Sequence, residues 1–538
     1  MKLQKQKIGD KLVWPFTIPS GIVMTDVKCA ERILSMIPEI GIWTTKSIGP
    51  EPRIGNKEPI LAQYIPGGFV NAVGLTNSGA EEYAKKLSST KISKDKFLLA
   101  SIFGKNRDEF VFVAKTLDDY VDGFELNLSC PHAKGYGMQL GQDPEIVTEI
   151  VRAITGITKK PIFAKLTPNA GNIGEIAKSA LSAGAYGITA INTIGPGYHS
   201  VDGLPVLTNE VGGLSGIGIT PIGLKCVRDV RKAVGKDIPI IGMGGIRNVA
   251  DIEEYAEAGA TFFGIGSALA GMNEREIKNY FNILVDDLRS NGWTNNAESL
   301  LKKIDMQYKK VRVEKKEGLA CDFKIIQTNE IINAEPGQFV FAWIPRIGEK
   351  PFSIMNNNPL TLGILEKGEF TKKINSLQKG DSFYVRGPYG RGVDVPQKSN
   401  IVLVGGGCGI VGLYPLAKRF SRKANVSVLL AAKDKKHIAY LNDFRKYGKV
   451  LIATEDGSLG KKGLVTDLMD DLKEGSYFFN CGPRAMINAV LNLELKVSNP
   501  DRVYSSIDYM TRCGVGVCGS CADEKGRRTC VEGPFMNS

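Results

Sequence analysis

The chain has 538 residues, 43% hydrophobic and 23% charged, with a formal net charge of +12. That length exceeds one hydrophobic core and points to about two to four domains of ordinary globular composition. The positive charge is dispersed, and its densest run, Lys433 to Lys436, is short and lacks interleaved aromatics, which argues against a nucleic-acid surface. Residues 1–12 are polar and lysine-rich with no apolar core, so no signal peptide is read there and a cytoplasmic location is expected. The uncharged run Ile401 to Ala417 is broken by glycines and Pro415, and reads as strand, turn and helix rather than a membrane span.

From Phe16 to about Leu269, short apolar runs alternate with helix-like segments. The runs are Phe16–Ile18, Ile42–Thr45, Phe97–Ile102, Gly123–Leu128, Ile162–Leu166, Gly187–Asn192, Ile238–Gly242 and Phe262–Ile265. Eight strands with intervening helices over roughly 250 residues match a (β/α)8 barrel, an α/β fold whose chemistry sits at the C-terminal strand ends. Here those ends carry Ser20-Gly21, Lys46, Asn127 and Cys130, Lys165, Asn192-Thr193, Gly244-Gly245 and Gly266-Ser267. Polar or glycine residues at so many ends point to one shared site.

The fourth run leads into Asn127-Leu128-Ser129-Cys130-Pro131-His132. A thiol with a pKa of about 8.5 acts as a general base once deprotonated. An asparagine offers one acceptor and two donors, enough for one edge of a cyclic amide. An isolated cysteine is as readily a buried structural residue, and the company of the other strand ends favours chemistry. After the seventh and eighth strands, Gly244-Gly245 and Gly266-Ser267 occupy the usual phosphate position of such barrels, which supports flavin mononucleotide (FMN). Lys46 and Lys165 would then place positive charge near the reduced flavin.

Around residues 291–310 the text changes. Ser290-Asn291-Gly292-Trp293 reads as a break, and from Tyr308 the chain turns β-like. Strands are expected over Lys310–Lys315, Ala320–Gln327, Gln338–Ile344, Leu360–Glu366 and Asp381–Arg386, forming a small β-barrel. Ile401–Val404 then feeds Gly405-Gly406-Gly407-Cys408-Gly409 and a helix from about Leu413, a nucleotide-binding arrangement in which Gly407 and Gly409 approach the cofactor. Four of the ten cysteines crowd the last stretch as Cys513-x4-Cys518-x2-Cys521-x8-Cys530. That opening spacing matches plant-type [2Fe–2S] sites, with a shorter final gap. Gly514, Gly516 and Gly519 let a loop wrap closely, which is unlike common zinc knuckles.

Residues 1–290 resemble the catalytic subunit of the family 1 dihydroorotate dehydrogenases. The likeness rests on Ser20-Gly21-Ile22, Thr44-Thr45-Lys46-Ser47, Asn71 to Asn77, Asn127 to Pro131, Ala164-Lys165-Leu166, Ile191-Asn192-Thr193 and Gly213-Leu214-Ser215-Gly216. The resemblance implies an FMN-bound barrel that oxidises (S)-dihydroorotate to orotate in pyrimidine biosynthesis. It casts Cys130 as the base at C5 while hydride leaves C6 for the flavin. Lys46 and the backbone of Val73-Gly74-Leu75 suit the substrate carboxylate, and Asn71, Asn127, Asn192 and Thr193 suit its amide edges.

One position departs: His132 stands where that family usually has asparagine. With Gly141 to Glu145 and Phe163 to Asn169 it resembles dihydropyrimidine dehydrogenase, which acts on uracil or thymine, and the histidine then contacts substrate or flavin, or fills the loop.

Residues from about 305 to 538 resemble the electron-transfer subunit of the same enzymes. Lys350-Pro351-Phe352-Ser353 and Gly387 to Gly392 look like flavin motifs of ferredoxin-reductase domains, with Lys350 in place of the usual arginine. Thr454 to Ser458 and Phe479 to Pro483 look like its NAD module, with Gly412 where proline is usual. The resemblance implies FAD held with Lys350 and Ser353, a [2Fe–2S] cluster on Cys513, Cys518, Cys521 and Cys530, and NAD+ as acceptor. Electrons would pass from FMN to the cluster to FAD.

The expected organisation is a FMN barrel at 1–304, a FAD β-barrel at 305–397, a NAD-binding α/β domain at 398–500 and a cluster segment at 501–538. A homodimer through the barrel is expected. The rival readings are a uracil or thymine reductase, a dihydroorotate dehydrogenase with another acceptor, and a non-catalytic electron carrier with a retired barrel.

Overall fold

The computed structural model describes residues 3–128, 140–290, 294–320, 322–507 and 509–538. The chain divides into two units, Met1–Asp305 with Val515–Arg527, and Met306–Gly514 with Arg528–Ser538.

In the first unit eight parallel strands close into a barrel: Phe16–Ile18, Ile40–Thr44, Phe97–Ile102, Gly123–Asn127, Ile162–Leu166, Gly187–Ala190, Ile240–Met243 and Phe262–Gly264. Each lies within or beside the run expected for it. Closure comes from Phe263 pairing with Phe16. The helices follow from capping and periodicity. Asp143 accepts from the backbone N–H of Glu145, Pro144 sits in the first turn, and Val147, Ile150, Val151 and Ile154 form the buried stripe of Pro144–Thr155.

The two ends of this barrel differ. At the N-terminal end a hairpin, Gln6–Ile8 with Lys11–Val13, places Ile8 and Val13 in one apolar cluster with Ile42, Phe97, Leu99 and Phe163. That end is packed shut. Toward the other end the interior turns polar, with Thr17, Thr44, Ser101, Glu125, Lys165 and Thr189 all buried. Barrel interiors are usually layers of Val, Ile and Leu, so this layer marks where chemistry is placed. A four-stranded antiparallel sheet, Ile194–Tyr198, Val211–Gly216, Gly68–Asn71 and Leu61–Ile65, carries Asn71 and Gly216. The sequence reading did not anticipate it.

The second unit opens with a closed six-stranded antiparallel barrel: Lys309–Ala320, Phe323–Thr328, Phe339–Ile344, Gly348–Asn357, Leu360–Leu365 and Ser382–Tyr389. Five strands were expected. The sixth, Gly348–Asn357, contains Lys350 and Ser353, and its proline and two terminal asparagines hide the alternation. Its floor holds a buried ion pair. Arg386 donates from Nε and Nη2 to the two oxygens of Glu349, both at 2.6 Å, and from Nη1 to Cys513 O at 3.0 Å. Tyr308 adds a third bond to Glu349 at 2.6 Å.

A parallel sheet follows, built on Asn400–Gly406, Asn425–Ala432, Lys449–Thr454 and Tyr477–Cys481. Val503–Ser506 and Met536–Asn537 continue that sheet, so the break expected after residue 500 falls inside it. The helix expected from about Leu413 begins earlier, at Ile410, because Gly407–Gly409 already turns as a 3-10 segment. Behind the sheet Glu494 is fully buried, with no cation paired to it among the described residues. Burial pushes its carboxyl up from 4.5 to about 7, against the lowering effect of a 2.7 Å bond from Asn480 Nδ2.

Candidate active site

The fourth strand organises the first unit's polar layer. Glu125 and Asn127 stand two residues apart, so their side chains share the inner face. Glu125 pairs in register with Ser101, and Asn127 with Lys165. Lys165 Nζ lies 3.3 Å from Glu125 Oε1, and Ser101 Oγ donates to the same oxygen at 3.1 Å. Ser101 and Ser47 share a hydrogen bond at 2.9 Å, and Asn127 Nδ2 donates to Ser47 Oγ at 3.1 Å. Asn192 Nδ2 donates in turn to Asn127 Oδ1 at 3.2 Å. One connected chain thus links a buried cation to two carboxamides.

Ser47, Asn127, Lys165 and Asn192 of this chain of bonds line a cavity at the C-terminal strand ends. Ser20, Gly21, Lys46, Asn71, Val73, Gly74, Leu75, Asn127, Lys165, Asn192 and Thr193 line it. Gly216, Gly244, Gly245, Gly266 and Ser267 line it as well. Every expected barrel residue within the described part is therefore at one place. Cys130 and His132 lie outside the described residues.

The loop Val73–Leu75 is held in a left-handed turn, with φ of 81° at Gly74 and 55° at Leu75. Asn56 fixes it, its backbone N–H donating to Val73 O at 3.0 Å and its side chain to Ala72 O at 2.9 Å. On the glycine side, a Cβ on Gly245 (φ 85°) would stand 2.1 Å from Thr220 Oγ1, so only glycine fits. Tyr255 donates to Gly244 O at 2.8 Å, and burial pushes its hydroxyl pKa well up, keeping it a donor.

Val517 and Cys518 complete the lining. They belong to Val515–Arg527, which is counted with the barrel. Val23 N donates to Val517 O and Gly271 N to Val515 O, both at 2.8 Å. A Cβ on Gly519 would meet Thr25 Oγ1 at 1.7 Å, which explains that glycine. No local pattern in the sequence announces this return.

The dihydroorotate dehydrogenase family model matches residues 2–280. The chain belongs to this family. It is 41% identical over 293 residues to the "Dihydroorotate dehydrogenase B (NAD(+)), catalytic subunit" of Pyrococcus horikoshii, covering 54% of this chain and 94% of that protein. The protein of the same name from Thermococcus kodakarensis is 44% identical over 258 residues, 48% of this chain and 83% of the relative. The enzyme is thus a dihydroorotate dehydrogenase whose second half these relatives do not cover. No helix among the described residues is long and apolar enough to cross a membrane.

In the second unit a cavity of about 510 Å³ opens at the C-terminal ends of the parallel strands. Gly406, Gly407 and Cys408 line it beside Ala432, Glu455 and Pro483. It lies where Asn400–Gly406 pairs on both sides, the topological switch point of the sheet and the usual ligand position in such folds. Gly409 is not in the lining; a Cβ there would meet Cys481 O at 2.2 Å. Lys350 and Ser353 are exposed on their barrel strand and are not among the residues lining that cavity.

Cys518 and Cys521 fall in the segment counted with the first unit, Cys513 and Cys530 in the second, and all four are buried. Among the described residues no group of three or more His, Cys, Asp or Glu side chains gathers as a metal site.

Proposed function

We propose that the enzyme oxidises (S)-dihydroorotate to orotate in de novo pyrimidine biosynthesis and passes the electrons through its own second half to NAD+. The observation that carries this is the single cavity in which Lys46, Asn71, Asn127, Lys165 and Asn192 converge with the glycine turns. Gly216, Gly244, Gly245, Gly266 and Ser267 would hold the FMN phosphate, where exposed backbone favours an anion. Lys46 and the left-handed loop Val73–Leu75 bind the substrate carboxylate. Asn71, Asn127, Asn192 and Thr193 orient the cyclic diamide without ionic cost, and Cys130 removes the C5 proton.

Lys350 and Ser353 would hold FAD, the cavity beside Gly407 would take NAD+, and the four tail cysteines would hold the [2Fe–2S] cluster. What these groups supply when bound is a hydride acceptor at the barrel and a relay from it to a nicotinamide. Support for the relay comes from the cysteine spacing, the burial of all four thiols and the switch-point cavity.

The test is turnover of the purified, cofactor-loaded chain with dihydroorotate or with uracil, each against NAD+ and NADH. Dihydroorotate-dependent reduction of NAD+ is expected. Tighter binding of uracil than of orotate would transfer the assignment to a pyrimidine reductase.

A further inference from the structure

The buried pair beneath the cavity contains one group that the proposed chemistry does not use. Glu125 is 0% exposed and Lys165 4% exposed. Carboxylates almost never sit this deep without a structural or chemical reason. Glu125 Oε1 is shared by Lys165 and Ser101, whereas Oε2 has no hydrogen-bond partner among the described residues. The same holds for the buried hydroxyl of Thr189, which pairs in register with Lys165. A purely structural pair is normally satisfied on both oxygens. This one is held from one side only and faces the cavity floor through Lys165.

We propose that Glu125 is a positioning residue that fixes Lys165 and thereby sets the redox potential of the flavin bound in this cavity. The inference rests on the FMN reading above. The carboxylate offsets part of the ammonium's field, and in a low-dielectric interior that offset acts over short range with little screening. A cation stabilises a flavin that gains negative charge on reduction, so weakening the offset raises the potential. Through Ser101, Ser47 and Asn127 the same carboxylate is tied to the groups proposed to hold the substrate ring.

The experiment is a potentiometric titration of FMN bound to the full chain. Glu125→Gln keeps shape and removes charge, and should shift the reduced-to-oxidised ratio at a fixed potential at least tenfold toward reduced. For a two-electron couple that is about 30 mV upward. Glu125→Asp should restore most of it. In a Lys165→Met background, Glu125→Gln should give a clearly smaller upward shift, because the part that acts through Lys165 is gone. Ser101→Ala leaves the carboxylate less neutralised and should move the ratio about threefold the other way, a second reading that stands if Glu125→Gln does not fold. Bound FMN whose potential is the same in every soluble variant overturns the role of Glu125 alone. No FMN binding by the unaltered chain overturns the flavin reading and this inference together.

Discussion

Two buried ion pairs, one in each unit, separate a group that builds from a group that is poised. In the second unit Arg386 grips both oxygens of Glu349, and Tyr308 adds a further bond. The guanidinium also lies 4.1 Å from the Phe341 ring centroid. Each nitrogen of the guanidinium has an acceptor, and the pair faces no cavity lining described above. In the first unit Lys165 meets one oxygen of Glu125 and lines the cavity. The contrast teaches that burial alone does not mark function. Incomplete satisfaction beside a cavity does.

The largest effect expected is on chemistry alone. Cys130→Ala should slow flavin reduction by dihydroorotate by about 10²–10⁴-fold, the usual contribution of a positioned base. Stopped-flow absorbance would read this, with orotate still bound. Near-normal reduction would remove the base from the barrel and blur the contrast.

The next effect should fall on stability alone. Arg386→Met leaves Glu349 buried without its partner, which costs about 3–5 kcal/mol. Denaturant unfolding of the second unit would show it, and orotate binding at the barrel should hardly change.

Glu494 extends the comparison to a buried carboxyl that has no cation partner among the described residues. Its folded-state value of about 7 lies above its ordinary 4.5, so the folded chain holds the proton more tightly. The stabilisation is fully present below about pH 4.5 and is lost as pH rises through 7. Glu494→Gln should leave stability near pH 5 almost unchanged and raise it near pH 8 by up to roughly 3 kcal/mol. Urea midpoints at the two pH values decide it. An equal change at both would mean that the carboxyl is not protonated in the fold.

The smallest effect is on affinity. Lys46→Ala should weaken orotate about ten- to hundredfold, in line with about 1.5–3 kcal/mol for a charge-assisted hydrogen bond. Equilibrium titration of the flavin spectrum measures it. A loss under threefold would move the carboxylate to another part of the cavity.

Much of the barrel was legible because each strand is a short apolar run, buried on both faces and bounded by polar or glycine residues. The cavity residues were legible for a related reason, since they cluster where strands stop. Glu125 was not. It sits mid-strand between Phe124 and Leu126, where a charge reads as an outward-facing residue in an alternating pattern. Its meaning depends on Lys165 in the next strand, whose ammonium lies 3.3 Å away, a contact that only the folded barrel reveals. Strand Gly348–Asn357 was missed because Pro351 and the asparagines mask its alternation. The packing of Val517 against Val23 was missed because nothing local encodes it.

That last contact joins residues made far apart in time. The barrel's own strands end at Gly264, yet Val517 and Cys518 emerge only after the second unit has been synthesised up to Gly514. At about 5–20 residues per second the interval between Asp305 and Val515 is roughly 10–40 s. Throughout it Val517 and Cys518, two of the residues that line the barrel cavity, are still unmade.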